Sequence, residues 1–252
     1  MDLLSHLEQP TLPFIIPTDI ESSCEWNDAL KVFEITVPNG VLLYSRNFFS
    51  EEVSDRALEY LQKNDTYDKK LSNWRELSAD EFTKIKFLNI NWKQDSINLY
   101  GKVSPLPRIT SWHGDSGRSY SYSGIKSQAN PWNDGLLYMK SEIERVAGVC
   151  FNSVLLNWYR DGNDHLGWHA DNEKELGGNP TIGSLNLGET RDFILRRNDD
   201  VSKKITIPLE HGSLLVMSGS MQHFWQHSVP KRRRATQSRV NLTFRKIRSE
   251  RL

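Results

Sequence analysis

The chain has 252 residues, with 32 lysines and arginines against 32 aspartates and glutamates, so its formal net charge is zero. That length can bury the core of one large domain, or of a domain with an arm. The charge balance excludes a uniformly basic nucleic-acid binder and leaves such contacts to local patches. Two cysteines, Cys24 and Cys150, with no Cys-x-x-Cys spacing, argue against a disulfide framework and point to a reducing compartment. Met1-Asp2-Leu3-Leu4 lacks the positive segment and apolar run of a signal peptide, and no stretch reads as a membrane span. A soluble intracellular protein is expected, cytoplasmic in a bacterium and nuclear in a eukaryote.

The N-terminal stretch carries Pro10, Pro13 and Pro17 and little periodicity, and reads as an arm or a loosely docked strand. Ser50 is placed as an N-cap before Glu51 and Glu52, and Val53, Ala57 and Leu61 then fall on one helical face. Thr83 to Asn98 gives no clear pattern. Leu99-Tyr100-Gly101-Lys102 resembles the tip of a short hairpin. Tyr120 and Tyr122 alternate around Ser121, as on one face of a strand. Pro131 to Gly148 is the best helix, with Leu136, Met139, Ile143 and Val146 at helical spacing. Strands are expected at Ser153 to Tyr159, Thr181 to Leu187, Arg191 to Arg197, Lys203 to Leu209, Ser213 to Met217 and Arg239 to Arg245, separated by turn residues. The expected class is α+β, mostly β: a double-sheet core with supporting helices.

Two constellations carry chemistry. In His169-Ala170-Asp171 an extended backbone projects one imidazole and one carboxylate to the same side. His227, in Trp225-Gln226-His227-Ser228, is the candidate third ligand. Two histidines and one carboxylate leave part of a metal's coordination open, which suits Fe(II) and oxygen chemistry better than structural zinc. Taken alone, the tripeptide also reads as a polar loop with a satisfied surface histidine. His165 and His169 are spaced as on a metal-binding helix, but Gly162 and Gly167 read as turn. The second constellation is Arg239-Val240-Asn241-Leu242-Thr243-Phe244-Arg245. Its alternation puts Val240, Leu242 and Phe244 on one face and Arg239, Asn241, Thr243 and Arg245 on the other. Two guanidiniums facing the inside of a sandwich are costly unless an anion neutralises them, and a small dicarboxylate would do so. Asn157 and Tyr159 share a face and could reach the same ligand. The alternative is an exposed edge strand with solvated arginines.

With these motifs in this order, the chain resembles the AlkB family of Fe(II)- and 2-oxoglutarate-dependent nucleic-acid dealkylases. The resemblance rests on Pro107-Arg108, Tyr120-Ser121-Tyr122-Ser123, Phe151-Asn152-Ser153 through Asn157-Trp158-Tyr159-Arg160, His169-Ala170-Asp171, Pro208 to Met217, His227 and Arg239 to Arg245, and it covers roughly residues 99 to 247. It implies a double-stranded β-helix, or jelly-roll, core. It implies three regions: an N-terminal arm over 1–40, a nucleotide-recognition region with helix, hairpin and lid over 41–130, and the dioxygenase core with its supporting helix over 131–252. It further implies Fe(II) on His169, Asp171 and His227, and 2-oxoglutarate held by Asn157, Tyr159, Arg239, Asn241, Thr243 and Arg245, with O2 as oxidant. The implied reaction is hydroxylation of an N-methyl group on a base of the 1-methyladenine or 3-methylcytosine type, with release of formaldehyde.

By the same resemblance, Tyr122 would stack on the flipped base opposite His169, Tyr120 and Glu173 would read its edge, and Tyr100 would be an aromatic finger entering duplex DNA. Arg108 and Trp112 complete the expected substrate side. Relatives often have a second acidic residue after the metal aspartate; here it is Asn172, which weakens recognition of a cationic base at that position. Lys231-Arg232-Arg233-Arg234, extended by Lys203, Lys204, Arg196 and Arg197, reads as a phosphate-binding patch or as a solvated loop. The expected partner is alkylated DNA, with RNA as a further substrate, for a monomer off the membrane. The rival readings are a 2-oxoglutarate-dependent hydroxylase of a protein or small molecule and a non-catalytic nucleic-acid-binding module.

Overall fold

The computed structural model describes residues 10–65, 84–99, 102–116, 119–122 and 125–248. The strands and helices run β1 (Ser23–Asn27), β2 (Val32–Val37), β3 (Gly40–Ser45), α1 (Glu51–Gln62), β4 (Ser96–Leu99), β5 (Lys102–Pro105), β6 (Ile109–Gly114), β7 (Ser119–Tyr122) and β8 (Ile125–Gln128). They continue with α2 (Asp134–Ala147), β9 (Ser153–Tyr159), β10 (Leu166–His169), β11 (Ile182–Gly188), β12 (Arg191–Arg197), β13 (Lys204–Leu209), β14 (Leu214–Ser218), α3 (Met221–Phe224), β15 (Trp225–Val229) and β16 (Arg239–Arg245). An eight-stranded sheet, ordered β1-β2-β3-β14-β11-β16-β9-β6, faces a four-stranded sheet, ordered β10-β15-β12-β13, and β4-β5 and β7-β8 form separate antiparallel pairs. This is the expected jelly roll.

Alternation divides the core. Val240, Leu242 and Phe244 of β16, with Val154, Leu156 and Trp158 of β9, pack against Leu136, Met139, Ile143 and Val146 of α2 on the outer side of the large sheet. Leu155, Tyr159, Phe193, Leu195, Met217 and Trp225 pack between the two sheets. β16 pairs with β9 so that Arg239 lies opposite Tyr159 and Asn241 opposite Asn157. A slip of one residue would drive the polar row into the helix side and the apolar row into the cavity, so this register is strongly specified.

The helices end where their caps dictate. The Ser50 hydroxyl accepts from the Val53 amide at the start of α1, and Asn133 Oδ1 accepts from the Leu136 amide at 3.0 Å at the start of α2. Helix α2 therefore begins after Pro131 and Trp132, later than the apolar periodicity alone suggests. Gly148 closes it at φ 66°.

The N-terminal expectation needs correction. Residues 23–37 are not an arm: β1 and β2 are hydrogen-bonded strands that extend the large sheet through β3, which pairs with β14. The β2–β3 turn is Pro38-Asn39, between the paired residues Val37 and Gly40, with Asn39 at φ 65°. A Pro-Asn pair between apolar runs is a turn signal, with Pro fixing the first φ and Asn tolerating the positive one. With β6 also in this sheet, the jelly roll draws strands from well before residue 131. Leu99 pairs with Lys102 in the antiparallel pair β4-β5, and the expected tip residue Tyr100 lies outside the described residues. Of Thr83 to Asn98, which gave no clear pattern in sequence, residues 84–98 are described, and Ile90 and Trp92 join the core on the α2 side.

Candidate active site

Strand β10 ends at His169, which pairs with His227 of β15, after an irregularity in register between Leu166 and His169. The two imidazole rings lie 4.1 Å apart centre to centre. Asp171 follows just beyond the strand, and candidate ligand atoms of His169, Asp171 and His227 all lie within 4.8 Å of one another. This is the arrangement expected from the sequence, on an extended segment and not on a helix.

Each ligand is oriented by a neighbour. His169 Nδ1 lies 2.9 Å from the Gly167 carbonyl oxygen, which can only accept, so Nδ1 carries the proton and Nε2 keeps the lone pair. Phe193 stacks on His227 at 5.0 Å. Burial pushes the buried His227 imidazole down to about 3, with neighbouring His169 adding to the effect, so it stands neutral and ready to ligate. The Asp171 amide donates to Gln222 Oε1 at 2.9 Å. Burial opposes ionisation of Asp171, but the Arg245 guanidinium 2.7 Å from Oδ1 outweighs it and holds the carboxyl below its usual range. A donor set of two imidazoles and one carboxylate fits an Fe(II) ion with open positions.

Behind these residues lies a cavity lined by Leu155, Asn157, Tyr159, Leu166, Ser184, Phe193, Met217, Val229, Arg239, Asn241, Thr243 and Arg245 as well as the triad. All six residues expected to hold the dicarboxylate are on its wall. At its inner end Arg239, only 2% exposed, donates from Nη2 to Asn186 Oδ1 at 2.6 Å and lies 5.0 Å from the Tyr159 ring centre. Its Nε and Nη1 are buried with no hydrogen-bond acceptor among the described residues. Burial, with little offset from Tyr159, pushes its guanidinium down to about 10. Unfilled donors on a buried cation fit a carboxylate and nothing apolar.

Asn241 and Thr243 are already engaged. Asn241 Nδ2 donates to Ser184 Oγ at 2.8 Å and to Asn186 Oδ1 at 3.1 Å, and the Thr243 hydroxyl donates to Asn241 Oδ1 at 2.9 Å. They brace the row. Sequence reasoning missed Asn186, Ser184 and Gln222. Ser184 and Asn186 were detectable as polar residues two apart in an otherwise apolar strand.

The expected substrate side divides. Arg108 is buried and donates from Nε to Asn157 Oδ1 at 2.9 Å, so it supports the cavity wall. Trp112 is buried in the core between the sheets. Asn172 is exposed. Glu173 is half-buried, and its Oε2 has no partner among the described residues. Tyr120 and Tyr122 are alternate positions of β7, with Tyr120 paired to Ser127. On the outer face of the small sheet, the Arg196 guanidinium stacks on half-exposed Trp168 at 4.1 Å and donates to Gln226 Oε1 at 2.7 Å. Lys231, Arg232, Arg233 and Arg234 are exposed. Arg197 is tied to Asp199 instead.

Jelly-roll fold, clustered imidazoles and carboxylate, and a cationic inner end together define the class of metal-dependent oxygenases that use a dicarboxylate. Sequence comparison agrees: the profile of the 2OG-Fe(II) oxygenase superfamily matches residues 42–245, and the chain belongs to that superfamily. It is 42% identical over 168 residues to alpha-ketoglutarate-dependent dioxygenase alkB homolog 3 of Rattus norvegicus, covering 63% of this chain and 56% of that protein. It is 39% identical over 158 residues to DNA oxidative demethylase ALKBH2 of Homo sapiens, covering 60% of each. The match to DNA oxidative demethylase ALKBH2 of Arabidopsis thaliana is 36% over 185 residues, covering 63% and 59%. The chain thus spans rather more than half the length of these relatives. Among solved structures, OsALKBH1 superposes with a TM-score of 0.50 over 82% of this chain and 96% of that one, at 16% identity, a likeness of fold. No helix among the described residues is long and apolar enough to cross a membrane.

Proposed function

We propose that this protein is an Fe(II)- and 2-oxoglutarate-dependent oxidative demethylase of N-alkylated bases in DNA, with RNA as a further substrate. The observation that carries the reading is the pairing of the His169/Asp171/His227 cluster with buried, unfilled donors on Arg239 inside one cavity. The names of the relatives, alkB homolog 3 and DNA oxidative demethylase ALKBH2, support the substrate class.

His169 Nε2, His227 and Asp171 would hold the iron, which when bound supplies oxygen activation at the expense of 2-oxoglutarate. Arg239 takes the distal carboxylate of the co-substrate, with Tyr159 beside it. Arg245 keeps Asp171 ionised and faces the same cavity. Leu155, Leu166, Phe193, Met217 and Val229 supply apolar walls that limit water around the reacting groups. The unpartnered Glu173 Oε2 is an acceptor for the exocyclic amine of a base brought out of its stack. Tyr122 and Tyr120 serve as the stacking and edge-reading residues, and Tyr100 as the duplex finger. The Trp168–Arg196 stack and the exposed 231–234 run offer stacking and charge to a nucleic-acid backbone. This surface favours nucleic acid over the protein or small-molecule alternative.

The test is incubation with oligonucleotides bearing 1-methyladenine or 3-methylcytosine, single- and double-stranded, followed by mass spectrometry. Loss of one CH2 per lesion, dependent on Fe(II) and 2-oxoglutarate, is expected. An unchanged lesion in both forms, under conditions where 2-oxoglutarate binds, would refute the substrate assignment.

A further inference from the structure

A further buried guanidinium lies outside the cavity wall, against the Tyr159 ring that lines it. Arg191 of β12 is 2% exposed and lies 5.7 Å from the ring centre of Tyr159, the ring that Arg239 approaches at 5.0 Å. The two positive charges are therefore within about 11 Å of each other. Nearby buried ions are neutralised in pairs: Asp164 by Arg160 at 2.8 Å, and Asp171 by Arg245 at 2.7 Å. Among the described residues neither Arg191 nor Arg239 has a carboxylate partner. Arg191 instead donates to three carbonyl oxygens, Asp161 at 3.1 Å, Asp164 at 2.9 Å and Pro230 at 2.6 Å, while its Nε has no acceptor.

These carbonyls belong to two segments that close on each other. The Gly162 amide donates to the Ala235 carbonyl and the Arg232 amide to the Gly162 carbonyl. The approach is so close that a Cβ on Gly162 would sit 1.8 Å from the Arg232 carbonyl oxygen. Arg191 thus ties the stretch that follows Tyr159 to the start of the basic run. A tie between carbonyls needs donors but no charge, and burial holds the Arg191 guanidinium below its usual range although Tyr159, Glu189 and Asp164 offset part of that cost. The cost is recovered where an anion arrives.

We infer that Arg191 is a positioning residue for the co-substrate: from beside Tyr159 its charge adds to that of Arg239 at the end of the cavity that receives the distal carboxylate. It touches no reacting atom and acts through Tyr159 and Arg239. The inference rests on the 2-oxoglutarate reading above.

The test is anaerobic calorimetric titration of the Fe(II)-loaded protein with two ligands. 2-Oxoglutarate carries the distal carboxylate; 2-oxobutyrate keeps the 2-oxo acid head and lacks it. The unaltered protein should prefer 2-oxoglutarate. Arg191→Met should weaken 2-oxoglutarate on the order of tenfold, as expected for one unit charge acting through an effective dielectric of about 20 over about 11 Å, the upper bound on its separation from Arg239, and leave 2-oxobutyrate within about twofold. Arg191→Lys, which keeps the charge, should retain most of the preference. Arg191→Gln, with a neutral amide donor, takes the place of the Met variant where that variant does not fold. Equal weakening of both ligands overturns the inference, as does loss of fold in both neutral variants, for then Arg191 is a tie and nothing more. If the unaltered protein shows no preference for 2-oxoglutarate, the co-substrate reading itself has failed, an outcome distinct from a preference that survives loss of the Arg191 charge.

Discussion

Replacing Arg239 by methionine separates ligand binding from folding. In the free protein its guanidinium has one hydrogen bond, to Asn186 Oδ1, and two buried nitrogens without acceptors. Asn186 Oδ1 keeps a second donor, Asn241 Nδ2, at 3.1 Å, so methionine strands no acceptor there. Removing a buried cation that lacks an ion partner in favour of an apolar side chain of similar length is often neutral or stabilising. The melting temperature of Arg239→Met should therefore be unchanged or raised. The 2-oxoglutarate complex, by contrast, loses a buried charge-assisted contact. That loss costs roughly 2–5 kcal/mol, or about thirtyfold to several thousandfold in Kd. Anaerobic calorimetry and a thermal melt on the same preparation read both quantities. A variant that binds 2-oxoglutarate normally, or one that unfolds, would refute the reasoning, since either result makes Arg239 a structural residue.

Asp171→Ala should fold yet lose tight Fe(II) binding in a metal titration, because two imidazoles alone are a poor site; iron held as tightly as before would contradict the triad. Asn172→Asp adds a charge at an exposed position beside the cluster and should improve turnover of cationic 1-methyladenine and 3-methylcytosine relative to neutral lesions, with equal effects on both counting against that role. Tyr100→Ala should impair repair in duplex DNA far more than in single strands, since an inserted ring offsets an unstacking cost of about a few kcal/mol that single strands do not incur. Burial holds His113 below its ordinary value despite the Pro131 carbonyl at 2.8 Å, so the folded state binds fewer protons at this site than the unfolded chain below about pH 6.5. Its contribution to stability is complete above that pH and is lost as pH falls toward its lowered folded value. Denaturant titrations of His113→Asn should show a flatter dependence on pH over that range.

The strands that build the site were legible because their alternation is clean. Arg239 to Arg245 and Ser153 to Tyr159 carry polar and apolar rows that only a two-sided buried strand can satisfy. The metal cluster was legible as residue types, and its extended conformation followed from Gly162 and Gly167. What local pattern could not show was tertiary partnership. Arg108 reads as a surface cation until its bond to Asn157, 49 positions away, is seen. Gln222 lies 51 positions from the amide it anchors. Arg191 follows Glu189 and Thr190 and precedes Asp192, a polar setting that gives no sign of its burial. The N-terminal strands were missed because β1 is largely exposed and polar, so its strand character comes from pairing with β2 and not from burial.

The central claim is that one cavity couples co-substrate consumption to removal of a methyl group from a base. Counting succinate, formaldehyde and lesions lost in the same reaction, on a methylated oligonucleotide with Fe(II) and 2-oxoglutarate, tests it most directly. Formaldehyde should equal lesions lost, succinate should rise with both, and all three should be abolished when 2-oxoglutarate is omitted. Lesions removed without 2-oxoglutarate, or succinate formed while every lesion persists, would contradict it.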